Sequence, residues 1–346
     1  SPERVADELE SLLSDSVRLR LAADVPVGAF LSGGIDSSTI VALAQRHSSA
    51  PIRTFSIGFE DPSYDESRYA AVVAAHLGTS HTTMIVGARE TMEVIPHLAE
   101  IYTEPFADSS QVPTYLLSKL ARNAVTVALS GDGGDELFAG YARYSLGSHL
   151  WSAAKRLPRA LRARVPDVRT LLALPLGPQK LRVLQLARLL GAESARDILQ
   201  HFHTIWKVPE LLVEGMSLGS KWPHESWDPP STFGDTSGTE RMVRADLCGY
   251  LPGDILTKVD RASMACSLEA RVPLLDYRVV EFALRQPHKL RWTQSKNTKL
   301  PLRNVLARHV PPQLFDRPKM GFGIPIHHWL HRELRDWTES LLSETD

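Results

Sequence analysis

Two glycine-rich loops carry the residues whose types and spacing suit chemistry. The first follows a short apolar run, residues 25–31, and precedes a helix-like run, residues 39–46. Its members are Ser32, Gly33, Gly34, Ile35, Asp36, Ser37 and Ser38. Adjacent glycines let backbone N–H groups turn toward an anion, and a following helix adds the positive end of its dipole. Because the serine hydroxyls also donate hydrogen bonds, the pattern predicts a phosphate site.

The charges of this first loop are incomplete for binding a polyphosphate. Asp36 is favourable beside phosphates only if a divalent cation lies between them, which implies Mg²⁺. The loop lacks the Lys-Ser or Lys-Thr pair that follows the last glycine of a Walker loop. The positive charge that holds pyrophosphate must therefore come from elsewhere in the chain. The alternative to a phosphate site is an ordinary tight turn with a capped helix.

The second loop follows another buried-strand pattern, residues 124–129. It comprises Ser130, Gly131, Asp132, Gly133, Gly134, Asp135 and Glu136. Ligands of open parallel sheets bind beyond the carboxyl ends of the strands, so both loops should open onto one crevice. The three carboxylates repel one another unless they are solvated or neutralised by a metal. A solvated acidic loop is the alternative, and the spacing excludes an EF-hand calcium loop.

The first loop resembles the pyrophosphate loop of the N-type ATP pyrophosphatases. Both loops together resemble the synthetase domain of the class B asparagine synthetases. Further matches follow in order along the chain, at residues 55–59, 65–66, 254–261, 268–276 and 317–323. The resemblance covers nearly the whole chain and is weakest between about residues 150 and 240.

The resemblance implies ATP and Mg²⁺ as ligands and places them residue by residue. The positions that match those holding adenosine are Leu31, Ile57, Ser130 and Gly131. Ser32 to Ser38 then surround the phosphates, and Asp36 and Asp135 reach Mg²⁺. Asp132 matches the carboxylate that the family uses in forming an acyl-adenylate, which is often a glutamate there. Lys319 matches the lysine that reaches back to the phosphates as pyrophosphate leaves.

Physical chemistry supports a lysine in that role independently. Adenylyl transfer is catalysed mainly by positioning and by cations aimed at the developing oxyanion charge. Lys319 stands between Pro318 and a Gly-Phe-Gly segment. The proline restricts the backbone before the lysine and the glycines free it afterwards, which suits a loop that lies over a ligand. The alternative is a solvated lysine on a surface turn.

An acidic amino-acid substrate would need an arginine for bidentate carboxylate binding. The candidates are Arg261 and Arg271, with Glu269 beside the latter, and each is equally suited to a structural ion pair. In the stretch from Asp254 to Asp276 that contains them, the apolar residues Ile255, Leu256, Val259 and Met264 fall near helical spacing. It predicts a core helix with Asp254 and Lys258 as an exposed i, i+4 pair.

Tyr141, beside the acidic loop, either assists proton transfer or simply packs. β-Lactam synthetases, relatives on the same fold, pair a tyrosine with a glutamate to deprotonate an amine. The corresponding stretch here carries Thr257 and Lys258 instead. That difference argues against β-lactam chemistry.

Composition excludes several classes of protein. The 346 residues are 43% hydrophobic with a formal net charge of −1, so no basic excess points to nucleic acid. The basic stretch from Lys155 to Arg169 has no interleaved aromatic platform. Two cysteines without CxxC spacing suit free thiols in a reducing compartment, and no zinc site is indicated. With no signal peptide and no run of 18 apolar residues, we expect a cytoplasmic protein that does not enter a membrane.

The alternation of elements predicts an α/β fold with a parallel sheet, helices on both faces and a mostly helical C-terminal region. The resemblance implies that the sheet is of the PP-loop type. Strands are predicted at residues 25–31, 52–59, 81–86 and 125–129, with helices from Ser38, Glu66 and Val112 between them. We expect three segments: an ATP-pyrophosphatase core over 1–150, a helical insertion with a linker near 215–238 over 151–240, and a C-terminal part over 241–346 that completes the site.

The resemblance implies MgATP-dependent adenylation of a carboxylate, in the first place the aspartate side chain. Ammonia then attacks the acyl-adenylate to give asparagine, AMP and pyrophosphate. The alternatives are a related amidase or cyclase acting on a sugar, peptide or secondary-metabolite carboxylate, and a non-catalytic nucleotide-binding module. The chain begins at Ser1 without the glutaminase domain of the glutamine-dependent enzymes. We therefore expect a fragment of a glutamine-dependent enzyme. The alternatives are a chain that uses free ammonia and a partner that supplies the nitrogen. A homodimer is expected from the resemblance only.

Overall fold

The computed structural model describes residues 1–158, 180–204, 238–291, 298–317 and 323–343. The α-helices within them are α1 (Pro2–Leu21), α2 (Ile35–His47), α3 (Ser67–Leu77), α4 (Ala88–Val94), α5 (Leu98–Tyr102), α6 (Gln111–Arg122), α7 (Gly134–Leu137), α8 (Ala142–Ala154), α9 (Lys180–Gly191), α10 (Ala195–His203), α11 (Gly238–Ala245), α12 (Thr257–Ala265), α13 (Tyr277–Arg285), α14 (His288–Arg291), α15 (Leu300–Leu306), α16 (Ile326–His331) and α17 (Arg335–Leu342). A π-helical segment, Asp246–Leu256, connects α11 to α12.

Five parallel strands form the sheet, in the order β3-β2-β1-β4-β5. They are β1 (Val27–Phe30), β2 (Arg53–Phe59), β3 (Ser80–Val86), β4 (Val127–Leu129) and β5 (Glu269–Arg271). The predicted α/β fold with a parallel sheet is confirmed, and the first four strands lie within two residues of their predicted bounds. β1 is the central strand, so the loop that follows it lies between the ends of β2 and β4.

The fifth strand was not predicted. Helical spacing predicts a helix through this stretch, whereas α12 ends at Ala265 and β5 pairs with β4 through Val127 and Glu269. Three residues are too few to show the alternation that marks a strand. The pairing partner, far away in sequence, decides the conformation.

Alternate residues of β2 face opposite sides of the sheet, as strand geometry requires. Phe55, Ile57 and Phe59 pack with Val112 of α6 in the main apolar cluster. On the other face α3 packs against β2, and a Cβ added at Gly58 would lie 2.6 Å from Ser67 Oγ. Helices therefore cover both faces of this part of the sheet.

The chain groups into two compact units. The first contains Ser1–Gly134, Gly253–Trp292 and Lys299–Asp346, and it holds the whole sheet. The second contains Asp135–Pro252 and Thr293–Thr298, and its described elements are helical. The first unit is thus assembled from stretches that are far apart in sequence.

The three consecutive segments expected from the sequence stay predictions about domains. Residues 215–237 of the expected linker and the basic residues from Arg159 to Arg169 lie outside the described residues. Among the described helices, none has the length and apolarity needed to cross a membrane.

The predicted exposed pair of Asp254 and Lys258 was wrong. Lys258 is buried, and its Nζ donates to Asp108 Oδ2 at 2.7 Å and to Ser110 Oγ at 2.7 Å. Met264, expected in the core, is 57% exposed. The spacing identified the helix correctly, but the loop before α6 supplies a partly buried carboxylate that no local pattern reveals.

Replacing Lys258 by Met should lower the free energy of unfolding by about 2–3 kcal/mol, because Asp108 loses its buried cation. Arg285→Ala is the matched control, since its i, i+4 pair with Glu281 is exposed and should be worth at most about 0.5 kcal/mol. Urea denaturation of both variants measures the difference. Equal losses would show that the Lys258 pair adds nothing through its burial.

The same pair should make stability depend on pH. Burial raises the pKa of Asp108, but the charge and hydrogen bond of Lys258 together with the hydrogen bonds from Ser110 outweigh it, so the pKa lies below its ordinary value. The contribution is therefore fully present above the unfolded-state pKa of about 3.9 and is lost as pH falls through the folded value. Urea titrations from pH 6 down to pH 3 should show a steeper loss for the parent than for Lys258→Met.

Candidate nucleotide-binding site

The first glycine loop joins β1 to α2 and is held by its own serines. Ser32 Oγ and Ser37 Oγ lie 3.0 Å apart, and the Ser32 N–H donates to Ser37 Oγ at 3.2 Å. The Gly34 N–H donates to Ser32 Oγ at 3.3 Å. Helix α2 begins directly after Gly34, so the positive end of a 13-residue helix faces the loop.

Two glycines permit backbones to approach too closely for any side chain. Gly33 has a left-handed φ of +75°, and a Cβ there would lie 2.7 Å from the carbonyl carbon of Tyr69 on α3. A Cβ on Gly131 would lie 2.6 Å from the backbone N of Ser37. The second loop therefore contacts the start of α2 directly, as expected of loops that leave neighbouring strands.

The positions predicted for adenosine lie toward the carboxyl ends of three adjacent strands. Leu31 follows β1 and donates its N–H to the carbonyl of Phe55 on β2, at 2.9 Å. Ile57 lies on β2 and is 4% exposed. Ser130 follows β4, and its N–H donates to the carbonyl of Arg271 on β5, at 2.8 Å. The sheet thus brings these predicted residues to one edge.

Asp132 is half-buried and accepts a hydrogen bond from the Ser130 hydroxyl. A hydroxyl two residues away therefore orients the carboxylate. Its predicted role in acyl-adenylate formation stays a prediction.

Asp36 forms an ion pair that the sequence analysis missed. Lys299 Nζ contacts Asp36 Oδ2, although the two residues lie far apart in sequence. Lys299 is 4% exposed and has a left-handed backbone, with φ of +57°. Pro301, just inside α15, marks the helix start, but nothing local shows where the lysine side chain goes. A cation therefore does reach the first loop from a distant part of the chain.

Two other predicted phosphate ligands have different outcomes. Ser38 is fully buried within α2, so its hydroxyl is shielded from solvent. The loop itself is held by the hydroxyls of Ser32 and Ser37. Lys319 lies outside the described residues.

The candidate substrate arginines lie in contrasting surroundings. Arg271 donates to Glu269 Oε1 at 2.7 Å and to the carbonyls of Arg20 and Ala22 at 2.8 and 2.9 Å. These contacts favour the structural alternative for Arg271. Arg261 is exposed on α12. Substrate binding by these residues stays a prediction.

In the second unit, Tyr141 and Glu136 form a short hydrogen bond. The Tyr141 hydroxyl donates to Glu136 Oε1 at 2.6 Å. Burial raises the pKa of Tyr141 well above its ordinary value, and the charges of Glu136 and Asp135 raise it further. The phenol therefore stays protonated near neutral pH and acts as a hydrogen-bond donor, not as a tyrosinate base.

The ring of Tyr141 is itself held in place. The Arg143 guanidinium lies 3.6 Å from the ring centroid, a cation–π contact. Arg143 Nη2 also donates to Asp246 Oδ2 at 2.7 Å, and Tyr144 donates to the same oxygen at 2.6 Å. Asp246 is fully buried. It holds Arg143 in place, and Arg143 in turn fixes the orientation of the Tyr141 ring.

Together the parallel sheet, the two glycine loops and the helix that starts at the first loop define an α/β fold of the PP-loop type. Comparison with known families gives the particular group. The family model described as Asparagine synthase matches residues 8–346. The chain belongs to this asparagine synthase family.

Curated relatives agree over nearly the whole chain. Asparagine synthetase [glutamine-hydrolyzing] 1 of Bacillus subtilis (strain 168) is 33% identical over 353 residues, covering 99% of this chain and 53% of its own length. A putative asparagine synthetase [glutamine-hydrolyzing] of Mycobacterium tuberculosis (strain ATCC 25618 / H37Rv) is 37% identical over 348 residues, with 96% and 50% covered. The chain therefore spans about half the length of these relatives.

Gly131→Ala should disrupt the contact between the loops, because the backbone of Ser37 cannot swing away as a side chain can. We expect a loss of about 1–3 kcal/mol in the free energy of unfolding. Added ATP should also raise the melting temperature of the variant by less than it raises that of the parent. Gly253→Ala is the matched control, because a Cβ there meets nothing within 4 Å. If the two variants behave alike, the close approach at Gly131 is not required.

Proposed function

We propose that this chain is the ATP-dependent, amide-forming part of an asparagine synthetase. The observation that carries the proposal is the pair of glycine loops in contact at the carboxyl edge of the sheet, in a member of the asparagine synthase family. The names of the matched relatives favour asparagine formation over the other carboxylate acceptors and over a non-catalytic module.

In the proposed first step, the substrate carboxylate oxygen attacks the α-phosphorus of ATP. The bond from that phosphorus to the bridging oxygen breaks, and pyrophosphate leaves with the electron pair. The N–H groups of the first loop and the Ser32 and Ser37 hydroxyls bind the phosphates. Lys319 supplies positive charge for the leaving pyrophosphate. Holding the carboxylate in line with the α-phosphorus provides most of the rate enhancement.

The carboxylate of Asp36 in the first loop suits an Mg²⁺ ion that arrives with the triphosphate. Such an ion typically keeps one or two protein carboxylates and takes its other ligands from phosphates and water. The described residues contain no group of three or more His, Cys, Asp or Glu able to hold a metal by themselves. Asp36 and Asp135 are the proposed ligands, and bound Mg²⁺ would neutralise phosphate charge.

In the proposed second step, ammonia attacks the acyl carbon of the adenylate. The carbon–oxygen bond to AMP breaks, and the nitrogen loses a proton. Tyr141 stays protonated, so its part would be to orient or relay that proton through Glu136. Asp132, held by Ser130, is the proposed carboxylate of the adenylation centre.

Relatives of about twice this length carry the words glutamine-hydrolyzing in their names. We infer that ammonia reaches this site from a glutaminase domain, either in the same protein or in a partner. Homodimer formation and a cytoplasmic location stay predictions.

The test is ATP–pyrophosphate exchange and AMP release with Mg²⁺, aspartate and ammonium, against a panel of other carboxylates. Turnover that depends on aspartate, with asparagine formed, is expected. Exchange that depends on another carboxylate would keep adenylation and replace the acceptor. ATP binding without any carboxylate-dependent exchange would contradict the proposed reaction.

Lys319→Ala should abolish pyrophosphate release, a loss of at least about a hundredfold if the charge acts mainly on the transition state. Circular dichroism and melting temperature should stay as in the parent. The control is Lys119→Ala, which removes an exposed lysine on α6 and should keep full activity. Parent-like pyrophosphate release by the Lys319 variant would remove this residue from the mechanism.

A further inference from the structure

Arg317 is a partly buried arginine that the sequence motif contains but to which neither the motif nor the reaction assigns a role. Its side chain is 14% exposed, and its Nη1 donates to Glu66 Oε1 at 2.7 Å. Its Nη2 donates to the backbone carbonyl of Ser32 at 3.3 Å. Its guanidinium carbon lies 4.2 Å from the ring centroid of Tyr69. A single planar cation thus contacts the first glycine loop and the first turn of α3.

The contact with the Ser32 carbonyl determines the direction of the next N–H group. The carbonyl of Ser32 and the N–H of Gly33 belong to one trans peptide plane, so they point in opposite directions. When Arg317 binds the carbonyl, it turns the Gly33 N–H to the side of the peptide away from the guanidinium. Gly33 supplies the left-handed backbone, φ +75°, that lets the loop continue from that orientation.

Helix α3 makes this arrangement rigid. The backbone of Tyr69 and Ala70 lies within 2.8 Å of the position that a Cβ of Gly33 would occupy, so the loop packs directly on α3. Tyr69 also presents its ring to Arg317, and Glu66, the residue before α3, receives the ion pair. The planar fork of arginine satisfies all three contacts at once, and a lysine has neither the geometry nor the stacking surface.

We propose that Arg317 is a positioning residue that sets the Ser32–Gly33 peptide so that the Gly33 N–H faces the triphosphate of ATP. Glu66 and Tyr69 hold the guanidinium for that purpose. The inference rests on the proposed function, because it takes ATP as the ligand of the loop. It concerns the phosphates alone, so the adenosine half of the nucleotide should be bound independently of Arg317.

The test compares ATP with adenosine in the parent and in Arg317→Lys, by calorimetry with Mg²⁺ present. We expect the variant to bind ATP about tenfold more weakly, the scale of one hydrogen bond to a charged group, and to bind adenosine with unchanged affinity. Glu66→Gln should show a smaller loss in the same direction. A role confined to folding would weaken both ligands alike, and that result would overturn the proposal.

Arg303→Lys is the matched control. Arg303 Nη1 pairs with Asp316 Oδ1 at 2.8 Å, so it tethers the same stretch of chain by another arginine–carboxylate pair. The Arg303→Lys variant should bind ATP with the same affinity as the parent. If the parent binds ATP and Arg317→Lys binds it equally well, the inference fails while the proposed function stands. If the parent binds no ATP at all, both are overturned.

Discussion

The close approach of backbones around the first glycine loop is the constraint on which the rest of the first unit depends. Gly33 lies against the backbone of Tyr69, and Gly131 lies against that of Ser37. Neighbouring strands are only about 4.8 Å apart, and the loops meet because β2 and β4 both pair with β1. A methyl group at either glycine would separate elements that the parallel pairing holds together.

Buried and partly buried cations connect distant parts of the first unit. The ion pairs are Lys258 with Asp108, Lys299 with Asp36 and Arg317 with Glu66. Each carboxylate belongs to the first third of the chain and each cation to the later part. Ion pairs of this kind contribute less to stability than their Coulomb energy suggests, because both charges lose water. Their direction and placement specify which segments meet, and Lys299 and Arg317 both contact residues of the first glycine loop.

The sequence predicted strands β1 to β4, the helices between them and both glycine loops. Local hydrophobic periodicity and the placement of glycines decide those features. Short β5 could not be found, since its conformation depends on pairing with β4. Lys299 and Arg317 were missed for a similar reason. Lysines and arginines look alike in sequence whether solvated or buried, and only the tertiary fold brings these two to Asp36 and Ser32. Arg271 belonged to a matching motif, yet its guanidinium is occupied by backbone carbonyls of Arg20 and Ala22.

The interleaving of the first unit along the chain has a consequence for synthesis on the ribosome. β4 is complete at Leu129, but β5, which covers its edge, begins only at Glu269. During translation the larger part of the second unit, Asp135–Pro252, is made before that edge is covered. An unpaired strand edge invites association with other chains, and non-local pairing is slow to form. Nascent chains that pause within the second unit would therefore be the species most prone to aggregate, although every local element of the sheet except β5 has already been made.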